Sequence, residues 1–150
     1  MRASDLLAEY PTVTMDAPAV EAARILAAGD LPGLIIVDDD GRPKLVLPGT
    51  QVLRLAVPGY IQADPPLARV IDEAAADMFI RELDGRTVRE CLPRDPAEPP
   101  IVGLRATVLE IAALMARAHS PLVAVTNSDG TLAGVVTMHA MLDRILGDGA

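Results

Sequence analysis

The 150-residue chain has very few aromatic residues and few basic ones. It contains two tyrosines, one phenylalanine and no tryptophan. Surfaces that bind single-stranded nucleic acid stack bases on aromatic rings, and this chain has almost none. The 13 Lys and Arg residues are outnumbered by 21 Asp and Glu, which gives a net charge of −8. Because neutralising phosphates needs a basic face, the composition argues against both nucleic acid and an anionic membrane surface as partners.

Cysteine and long apolar runs are also scarce. Cys91 is the only cysteine, which excludes an internal disulfide and a cysteine-based zinc cluster, and we interpret it as a small buried residue. The longest stretch without Asp, Glu, Lys or Arg is Gly130–Leu142, far short of the roughly 18 apolar residues that span a bilayer. The first residues also lack the pattern of a signal peptide. We therefore predict no membrane insertion and a cytoplasmic location.

Motifs of catalysis are missing as well. None of the few serine, histidine and cysteine side chains lies in a nucleophile motif, and no glycine-rich phosphate loop is present. The run Asp38–Asp40 does not continue as a calcium-binding loop, because Arg42, Lys44 and Gly49 occupy positions that need oxygen ligands. We predict that this run is a turn and that the chain is not an enzyme.

What the sequence does contain is an internal repeat. Residues 11–54, shifted forward by 89 positions, align without a gap on residues 100–143. Two copies are too few for a solenoid, which needs three or more stacked units. The repeat therefore predicts two similar lobes related by a pseudo-two-fold axis, with clefts between them. The core of the match is Pro11/Pro100, Val13/Val102, Ala17/Ala106, Glu21/Glu110, Ala23/Ala112, Ala27/Ala116, Pro32/Pro121, Asp40/Asp129, Gly41/Gly130, Val46/Val135 and Leu53/Leu142.

Each copy has the pattern of a β-α-β-β-α unit. Apolar runs, turn residues and a capping box at Thr107–Glu110 mark the elements. Two such units predict an α+β (mixed α/β) fold in which sheets pack against helices. In the first copy we predict a strand around Val13 and Met15, helix Pro18–Ala28, strands Leu34–Val37 and Leu45–Leu47, and helix Thr50–Ala56. In the second we predict a helix from Val108, strands Leu122–Thr126 and Leu132–Thr137, and helix Met138–Leu146.

The segment between the copies is not repeated. Residues Tyr60–Arg86 have no counterpart in the second copy, and Leu67–Leu83 carries a helical apolar pattern. We predict that Leu67–Leu83 forms a helix docked on the rest of the chain. The predicted domains are a first repeat at 1–58, a connector with this helix at 59–86 and a second repeat at 87–148.

Several sequence elements, taken in order, resemble the CBS domain, the regulatory module named after cystathionine β-synthase. In the second copy they are "TVRECL", "ATVLEIAALM", "SPLVAV", the "DG" turn and "GVVT" before the last helix. The first copy, with "APAVEAARIL" and "LPGLIIVDDDGRP", resembles the same pattern with a degraded end. The resemblance implies a tandem CBS pair, a module that commonly dimerises and binds adenosine-type ligands in the clefts between its repeats.

The resemblance also implies a function and a set of contacts. A stand-alone pair would be a homodimer that binds AMP, ADP, ATP or S-adenosylmethionine and regulates a partner enzyme or transporter in trans. The candidate nucleotide contacts are Val102, Pro121, Leu122, Gly134, Val135, Thr137, His139 and Gln51. The family's ligand motif places a threonine or serine hydroxyl and a helix start at the phosphate, and an aspartate three residues further on at the ribose hydroxyls.

Both copies depart from this motif. In the second copy Thr137 is present but Ala140 stands at the aspartate position, and in the first copy Pro48 and Gln51 replace the threonine and the aspartate. Losing a hydrogen bond to a charged group weakens binding by roughly ten- to a hundredfold. Two interpretations of Thr137 stay open: a helix N-cap alone, or a cap that also contacts phosphate. The alternative function is therefore a ligand-independent dimerising scaffold, with the connector helix presenting Val70, Met78 and Phe79 to a partner.

Overall fold

The structure is a computed structural model that describes residues 1–57, 59–70 and 75–147. The helices are α1 (Ala3–Leu6), α2 (Ala19–Gly29), α3 (Gly49–Ala56), α4 (Gly59–Ala63), α5 (Ala75–Leu83), α6 (Val88–Cys91), α7 (Val108–Ala118) and α8 (Met138–Gly147), with a 3-10 helix at Pro65–Val70. The strands are β1 (Thr12–Val13), β2 (Gly33–Val37), β3 (Pro43–Pro48), β4 (Ile101–Gly103), β5 (Leu122–Thr126) and β6 (Leu132–Thr137). No helix in the described part of the chain has the length and apolar character that a membrane crossing requires.

The 89-residue repeat is present in the structure, so the predicted α+β fold with two related units is confirmed. Helices α2 and α7, strands β2 and β5, and strands β3 and β6 have bounds that differ by 89 positions. Equivalent residues also share backbone angles. Asp30 follows α2 and His119 follows α7, and their φ values are 50° and 51°. Both helices therefore end in the same left-handed cap.

Each repeat contributes a three-stranded sheet. The strand orders are β1-β2-β3 and β4-β5-β6. In the second sheet β4 runs parallel to β5, while β5 and β6 are antiparallel and pair Leu122 with Thr137. Residues Leu122–Val125 of β5 are all buried, as expected for a continuous apolar run in a strand covered on both faces.

Two short helices, α1 and α6, precede the repeats and had no counterpart among the predicted elements. At the start of each helix a carboxylate accepts the amide hydrogen of the residue before the helix: Asp5 accepts from Arg2 N–H at 2.8 Å in α1, and Glu90 accepts from Thr87 N–H at 3.1 Å in α6. Helix α1 packs on the second repeat through Ala3 N–H, which donates to the Ala106 carbonyl at 2.8 Å. Helix α6 packs on the first repeat, where Val88 N–H donates to the Ala17 carbonyl at 2.9 Å. Each helix thus packs on the repeat that does not follow it in the sequence.

The chain divides into two compact units. One comprises residues 1–12, 35–46 and 97–150, and the other comprises residues 13–34 and 47–96. Among the described residues of the first unit, two apolar clusters can be defined. One lies under α7 and α8 and includes Ile111, Met115, Val123, Val136 and Met141. The other groups Ile35 of β2 with Leu122, Ala124 and Val135 of the second sheet.

The predicted connector helix Leu67–Leu83 is only partly correct. Helix α5 covers its second half, but Leu67–Val70 belong to a 3-10 helix, and residues 71–74 lie outside the described part of the chain. Pro65 and Pro66 have no amide hydrogen, so Leu67 supplies the first N–H, which donates to the Asp64 carbonyl three residues earlier. That i to i−3 bond is the 3-10 pattern. Helix α4 was not predicted, and β1 ends at Val13, before Met15.

Candidate functional site

The junction between β6 and α8 brings together three of the predicted site residues. Thr137 ends β6, and its Oγ1 accepts a hydrogen bond from the Ala140 amide at 3.0 Å. The first amide of α8, that of Met138, donates to the Pro121 carbonyl at 2.8 Å. Leu122, the residue after Pro121, pairs with Thr137 across the sheet. Pro121, Leu122 and Thr137 therefore meet at the start of α8, and Thr137 is the N-cap of that helix.

The first repeat has the same junction without the hydroxyl. Gly49 N–H donates to the Pro32 carbonyl at 2.9 Å, as Met138 does to Pro121. Pro48 precedes the helix where Thr137 does in the second repeat, and α3 has no side-chain cap. A proline carries neither a hydroxyl nor an amide hydrogen. The two helix starts therefore share a backbone geometry and differ in their chemistry.

Gln51, on the first full turn of α3, has an unusual environment. Its side chain is half-buried, and its Oε1 is buried and has no hydrogen-bond partner within the described residues. Buried side-chain oxygens in proteins almost always accept a hydrogen bond, and leaving one without a donor costs about 1–3 kcal/mol. This acceptor stands at the position where the family motif has aspartate.

The remaining predicted residues have different surroundings. Val135 is fully buried, as Leu122 is, and Val102 is buried in β4, where its carbonyl accepts from the Thr126 hydroxyl at 3.3 Å. His139 is exposed on the first turn of α8. Val102 lines a cavity of about 430 Å³ that also has Glu110 and Arg117 in its wall. That cavity is separate from the groove of about 400 Å³ that Pro121 lines with residues of α7 and α8.

Gly134 is shielded by the N-terminal segment, which sequence reasoning missed. Ala8 N–H and the Val135 carbonyl, and Val135 N–H and the Ala8 carbonyl, form two hydrogen bonds of 3.0 Å, so this segment adds a bridge to the edge of β6. A side chain at position 134 would lie 2.8 Å from Leu7 Cδ1 and 2.9 Å from the Ala8 carbonyl oxygen. Glycine is therefore required there by the close approach of another backbone. Gly134 also lines a cavity of about 500 Å³ with Glu9 and Tyr10.

The acidic turns of the two hairpins are held by hydrogen bonds. The Arg42 amide lowers the pKa of Asp38, and the Thr131 hydroxyl lowers the pKa of Asp129. Arg42 also donates from Nη2 to the Asp129 carbonyl at 3.3 Å and so joins the two turns. In the ranges 1–57, 59–70 and 75–147, no three His, Cys, Asp or Glu side chains lie close enough to hold a metal ion.

Cys91 is a structural residue of the fold. It is fully buried on α6, and desolvation raises the pKa of its thiol. Its carbonyl accepts a hydrogen bond from Arg54 Nη2 at 3.1 Å, which ties α6 to α3. Since a reactive cysteine is partly exposed and has a lowered pKa, the interpretation of Cys91 as a small buried residue agrees with its surroundings.

These features define an α+β protein of two repeated β-α-β-β-α units, each with a helix that starts directly after its last strand. The CBS domain family model matches residues 3–55 and 88–147. The chain belongs to the CBS domain family, as its motifs predicted. No curated protein matches the chain.

Solved structures agree with this family. A CBS domain-containing protein of unknown function from Kribbella flavida is 46% identical over 98% of this chain and 99% of its own, with a TM-score of 0.86. CBSX2 in complex with AMP is 18% identical over 99% of this chain and 98% of its own, with a TM-score of 0.70. The cytosolic domain of the Mg²⁺ channel MgtE in complex with ATP is 25% identical over 95% of this chain and 48% of its own, with a TM-score of 0.64.

Proposed function

We propose that this CBS pair is a regulatory module that binds an adenosine-type nucleotide and modulates a partner protein in trans. The candidate ligands are AMP, ADP, ATP and S-adenosylmethionine, and the partner is an enzyme or a transporter. Two relatives of the same fold were solved with AMP or ATP. The observation that carries the proposal is the Thr137 hydroxyl at the start of α8, beside Pro121.

The Thr137 hydroxyl can serve the helix and a phosphate at the same time. As N-cap it uses one oxygen lone pair to accept the Ala140 amide at 3.0 Å. A hydroxyl also has one O–H to donate, and the cap leaves that hydrogen available for a phosphate oxygen. The N-terminus of α8, a helix of ten residues, carries partial positive charge that favours an anion at the same place.

Gln51 gives the first repeat a candidate ligand contact of its own. Its buried Oε1 lacks a donor among the described residues, and a ribose hydroxyl would supply one. As a neutral acceptor, glutamine forms a weaker hydrogen bond than the aspartate of the family motif. We therefore propose weaker nucleotide binding at Gln51 than at an aspartate-containing CBS site.

Several further properties belong to this proposal. The chain acts without catalysis, works in the cytoplasm and forms a homodimer, since two-fold dimers are the commonest oligomers. Its domains are the first repeat at 1–58, the connector at 59–86 and the second repeat at 87–148. The remaining candidate contacts, Val102, Leu122, Gly134, Val135 and His139, belong to the second repeat.

The alternative is a dimerising scaffold that needs no small molecule. Ala140 in place of the ribose-binding aspartate favours this scaffold. The amides of Met138 and Ala140, at the start of α8, favour it as well, because both already donate to partners within the protein. The predicted partner-facing residues of the connector are Val70, Met78 and Phe79. Phe79 is 37% exposed and Met78 is half-buried, while the Val70 side chain lies outside the described part of the chain.

Replacing Thr137 by valine tests the proposal. We expect the melting temperature of the wild type to rise with millimolar nucleotide, because a ligand stabilises by RT ln(1 + [L]/Kd). The variant should bind about ten- to a hundredfold more weakly, since a hydrogen bond to a charged phosphate contributes about 1.5–3 kcal/mol. Calorimetric titration and thermal shift with AMP, ADP, ATP and S-adenosylmethionine measure the difference.

Thr107→Val is the matched control. Thr107 caps α7 by accepting the Glu110 amide at 3.2 Å, so each variant loses one N-cap, at a cost of about 1 kcal/mol in stability. Only Thr137→Val should lose nucleotide affinity. Equal nucleotide responses in the two variants would remove Thr137 from the site, and a wild type that responds to none of the four ligands would leave the scaffold as the function.

Replacing Gln51 by methionine makes a second prediction. The substitution keeps the length of the side chain and removes the unsatisfied oxygen, so we expect the ligand-free protein to gain about 1 kcal/mol in stability. The nucleotide-induced shift should fall. Gln62→Met is the control, because Gln62 Nε2 donates to the carbonyls of Arg54 and Val57 at 2.9 and 2.7 Å, and its loss should destabilise. Denaturant melts with and without nucleotide measure both effects, and a Gln51→Met protein that is destabilised would contradict the proposed role.

A further inference from the structure

The dipeptide Asp-Gly recurs along the sequence. In this dipeptide the glycine nitrogen can approach the carboxyl carbon of the preceding aspartate, because glycine has no Cβ in the way. The surroundings of each pair decide whether the two groups react. The pairs in the described ranges are Asp40–Gly41, Asp84–Gly85 and Asp129–Gly130, and Asp148–Gly149 lies outside them.

The reaction open to such a pair converts aspartate into isoaspartate. The glycine nitrogen gives up its proton and bonds to the aspartate Cγ, while the C–OH bond of the protonated carboxyl group breaks and water leaves. The product is a five-membered succinimide ring. A second water then cleaves the bond between the nitrogen and the main-chain carbonyl carbon and returns a proton to the nitrogen. The main chain now runs through Cγ, the α-carboxylate is free, and water is the only co-reactant.

In the two hairpin turns the glycine amide is already engaged. Gly41 N–H donates to the Asp38 carbonyl at 3.0 Å. Gly130 N–H donates to the Asn127 carbonyl, also at 3.0 Å. Each hydrogen bond has to break before the nitrogen can turn toward the carboxyl group, which slows the reaction by up to about tenfold.

The second hairpin also holds the carboxylate in place. Asp129 accepts from the Thr131 amide at 3.0 Å and from the Thr131 hydroxyl at 2.6 Å. Both partners of the reaction are therefore occupied at Asp129–Gly130, and this pair should be the slowest of the three.

The pair Asp84–Gly85 lies in the turn that joins α5 to α6 and has neither constraint. Within ranges 1–57, 59–70 and 75–147, Gly85 N–H has no acceptor and the Asp84 carboxylate has no donor. Both residues are exposed, and a Cβ at Gly85 would have no atom within 4 Å. The nitrogen, the carboxyl carbon and water can therefore meet in this turn.

Asp40 and Asp84 make a matched pair for chemistry. Each is followed by glycine and then arginine, so both stand in the tripeptide Asp-Gly-Arg. In an unfolded chain the same neighbours should give the two aspartates about the same reactivity. A difference between them in the folded protein would therefore come from the fold.

We propose that Asp84 is a modification site, at which the folded chain forms isoaspartate spontaneously and much faster than at Asp40 or Asp129. The inference does not depend on the proposed nucleotide site. It assigns to the α5–α6 turn a slow covalent change that needs no enzyme to start it.

The modification would act on the packing of the first repeat, because isoaspartate adds one carbon atom to the main chain of the turn. The Arg86 carbonyl accepts from Ala19 N–H at 2.9 Å. Val88 N–H donates to the Ala17 carbonyl, also at 2.9 Å. A longer turn shifts Arg86 and Val88 away from these partners and so loosens the junction between α6 and the start of α2.

The test follows isoaspartate in the full chain during several weeks at neutral pH and physiological temperature. Digestion with an endoproteinase that cleaves before aspartate but not before isoaspartate, followed by mass spectrometry, locates each modified residue. In the folded protein, position 84 should accumulate about tenfold more isoaspartate than position 40. In guanidinium chloride the two positions should accumulate it equally. Equal amounts in the folded protein, or none at position 84 while the unfolded chain reacts, would overturn the proposal.

Asp84→Glu is the control variant. Glutamate keeps the charge but would have to close a six-membered ring, so position 84 should stay unmodified while Asp40 reacts as before. Hydrogen exchange on the chromatographically separated isoaspartate form measures the structural effect. The amides of Ala19 and Val88 should exchange faster than in the unmodified chain, and unchanged exchange at both would overturn the effect on the α6 junction.

Discussion

Replacing Ile35 by alanine is expected to lower the free energy of unfolding by about 2–5 kcal/mol. Ile35 lies on β2 and is fully buried. It packs in one cluster with Leu122, Ala124 and Val135 of the second sheet. Alanine would remove three carbon atoms from this cluster and leave a cavity that rigid β-strands cannot close, so both lost burial and lost packing contribute. Unfolding in urea or guanidinium measures the change. The denaturant concentration at the midpoint should fall, while the dependence of the free energy of unfolding on denaturant concentration stays the same.

Ile80→Ala provides the control for this prediction. It removes the same atoms from a side chain of α5 that is 57% exposed, and surface substitutions of this kind change stability by less than about 0.5 kcal/mol. A difference of several kcal/mol between the two variants would follow from burial alone. A loss below about 1 kcal/mol for Ile35→Ala would contradict the cluster, because a residue packed on all sides cannot be truncated at that cost.

The repeated part of the fold could be predicted from the sequence because its signals are local. The run Leu122–Thr126 matches β5 in both bounds, and Leu132–Thr137 matches β6. The cap at Thr107 follows from the sequence pattern, and the structure shows its hydroxyl accepting the Glu110 amide. Each of these elements depends on residues within a few positions of one another. The 89-residue offset then transfers each assignment from one copy to the other.

The elements that sequence reasoning missed are those stabilised by distant partners. Helix α1 has only four residues, and its first amide finds an acceptor at Ala106, more than a hundred positions away. No periodicity can be read from so short a segment. Helix α6 did carry a signal, since Thr87 and Glu90 have the spacing of a capping box. The apolar pattern in the connector predicted a single helix, but Pro65 and Pro66 offer no amide hydrogens, and the segment Pro65–Val70 is a 3-10 helix.

Among the candidate site residues, Thr137 and Gly134 show what the sequence can and cannot specify. The position of Thr137 at a strand-to-helix junction was predictable, because a threonine before a helical pattern is a good N-cap. For Gly134 the motif indicated a ligand contact. The structure adds a packing requirement, because the backbone of the N-terminal segment passes close to this residue. The close contact is a reason for this glycine that does not depend on a ligand, and mutation can test it.

The two repeats also differ in a consistent way. The second repeat has the capping hydroxyl of Thr137, whereas the first has Pro48 and a covering helix, α5. The second copy therefore has the stronger basis for the proposed phosphate contact.

Gly134→Ala is expected to destabilise the protein by about 1–3 kcal/mol, the usual cost of forcing an extra methyl group into a packed site. The new Cβ would lie 2.8 Å from Leu7 Cδ1 and 2.9 Å from the Ala8 carbonyl oxygen. The leucine side chain can rotate away, but the carbonyl cannot move without losing the two 3.0 Å hydrogen bonds between Ala8 and Val135. We therefore expect the N-terminal segment to separate from β6, which hydrogen exchange would detect as faster exchange of the Ala8 amide.

Gly103→Ala should instead stabilise the protein. A Cβ at Gly103, in β4, would have no atom within 4 Å. There, alanine restricts the unfolded chain without straining the folded one, which stabilises by about 0.4–1 kcal/mol. Thermal melts of Gly134→Ala and Gly103→Ala, together with the hydrogen-exchange rate of the Ala8 amide, test both predictions. If Gly134→Ala melts like the wild type and the Ala8 amide keeps its protection, the close contact with the N-terminal segment does not explain the glycine. A ligand role would then be the remaining reason for it.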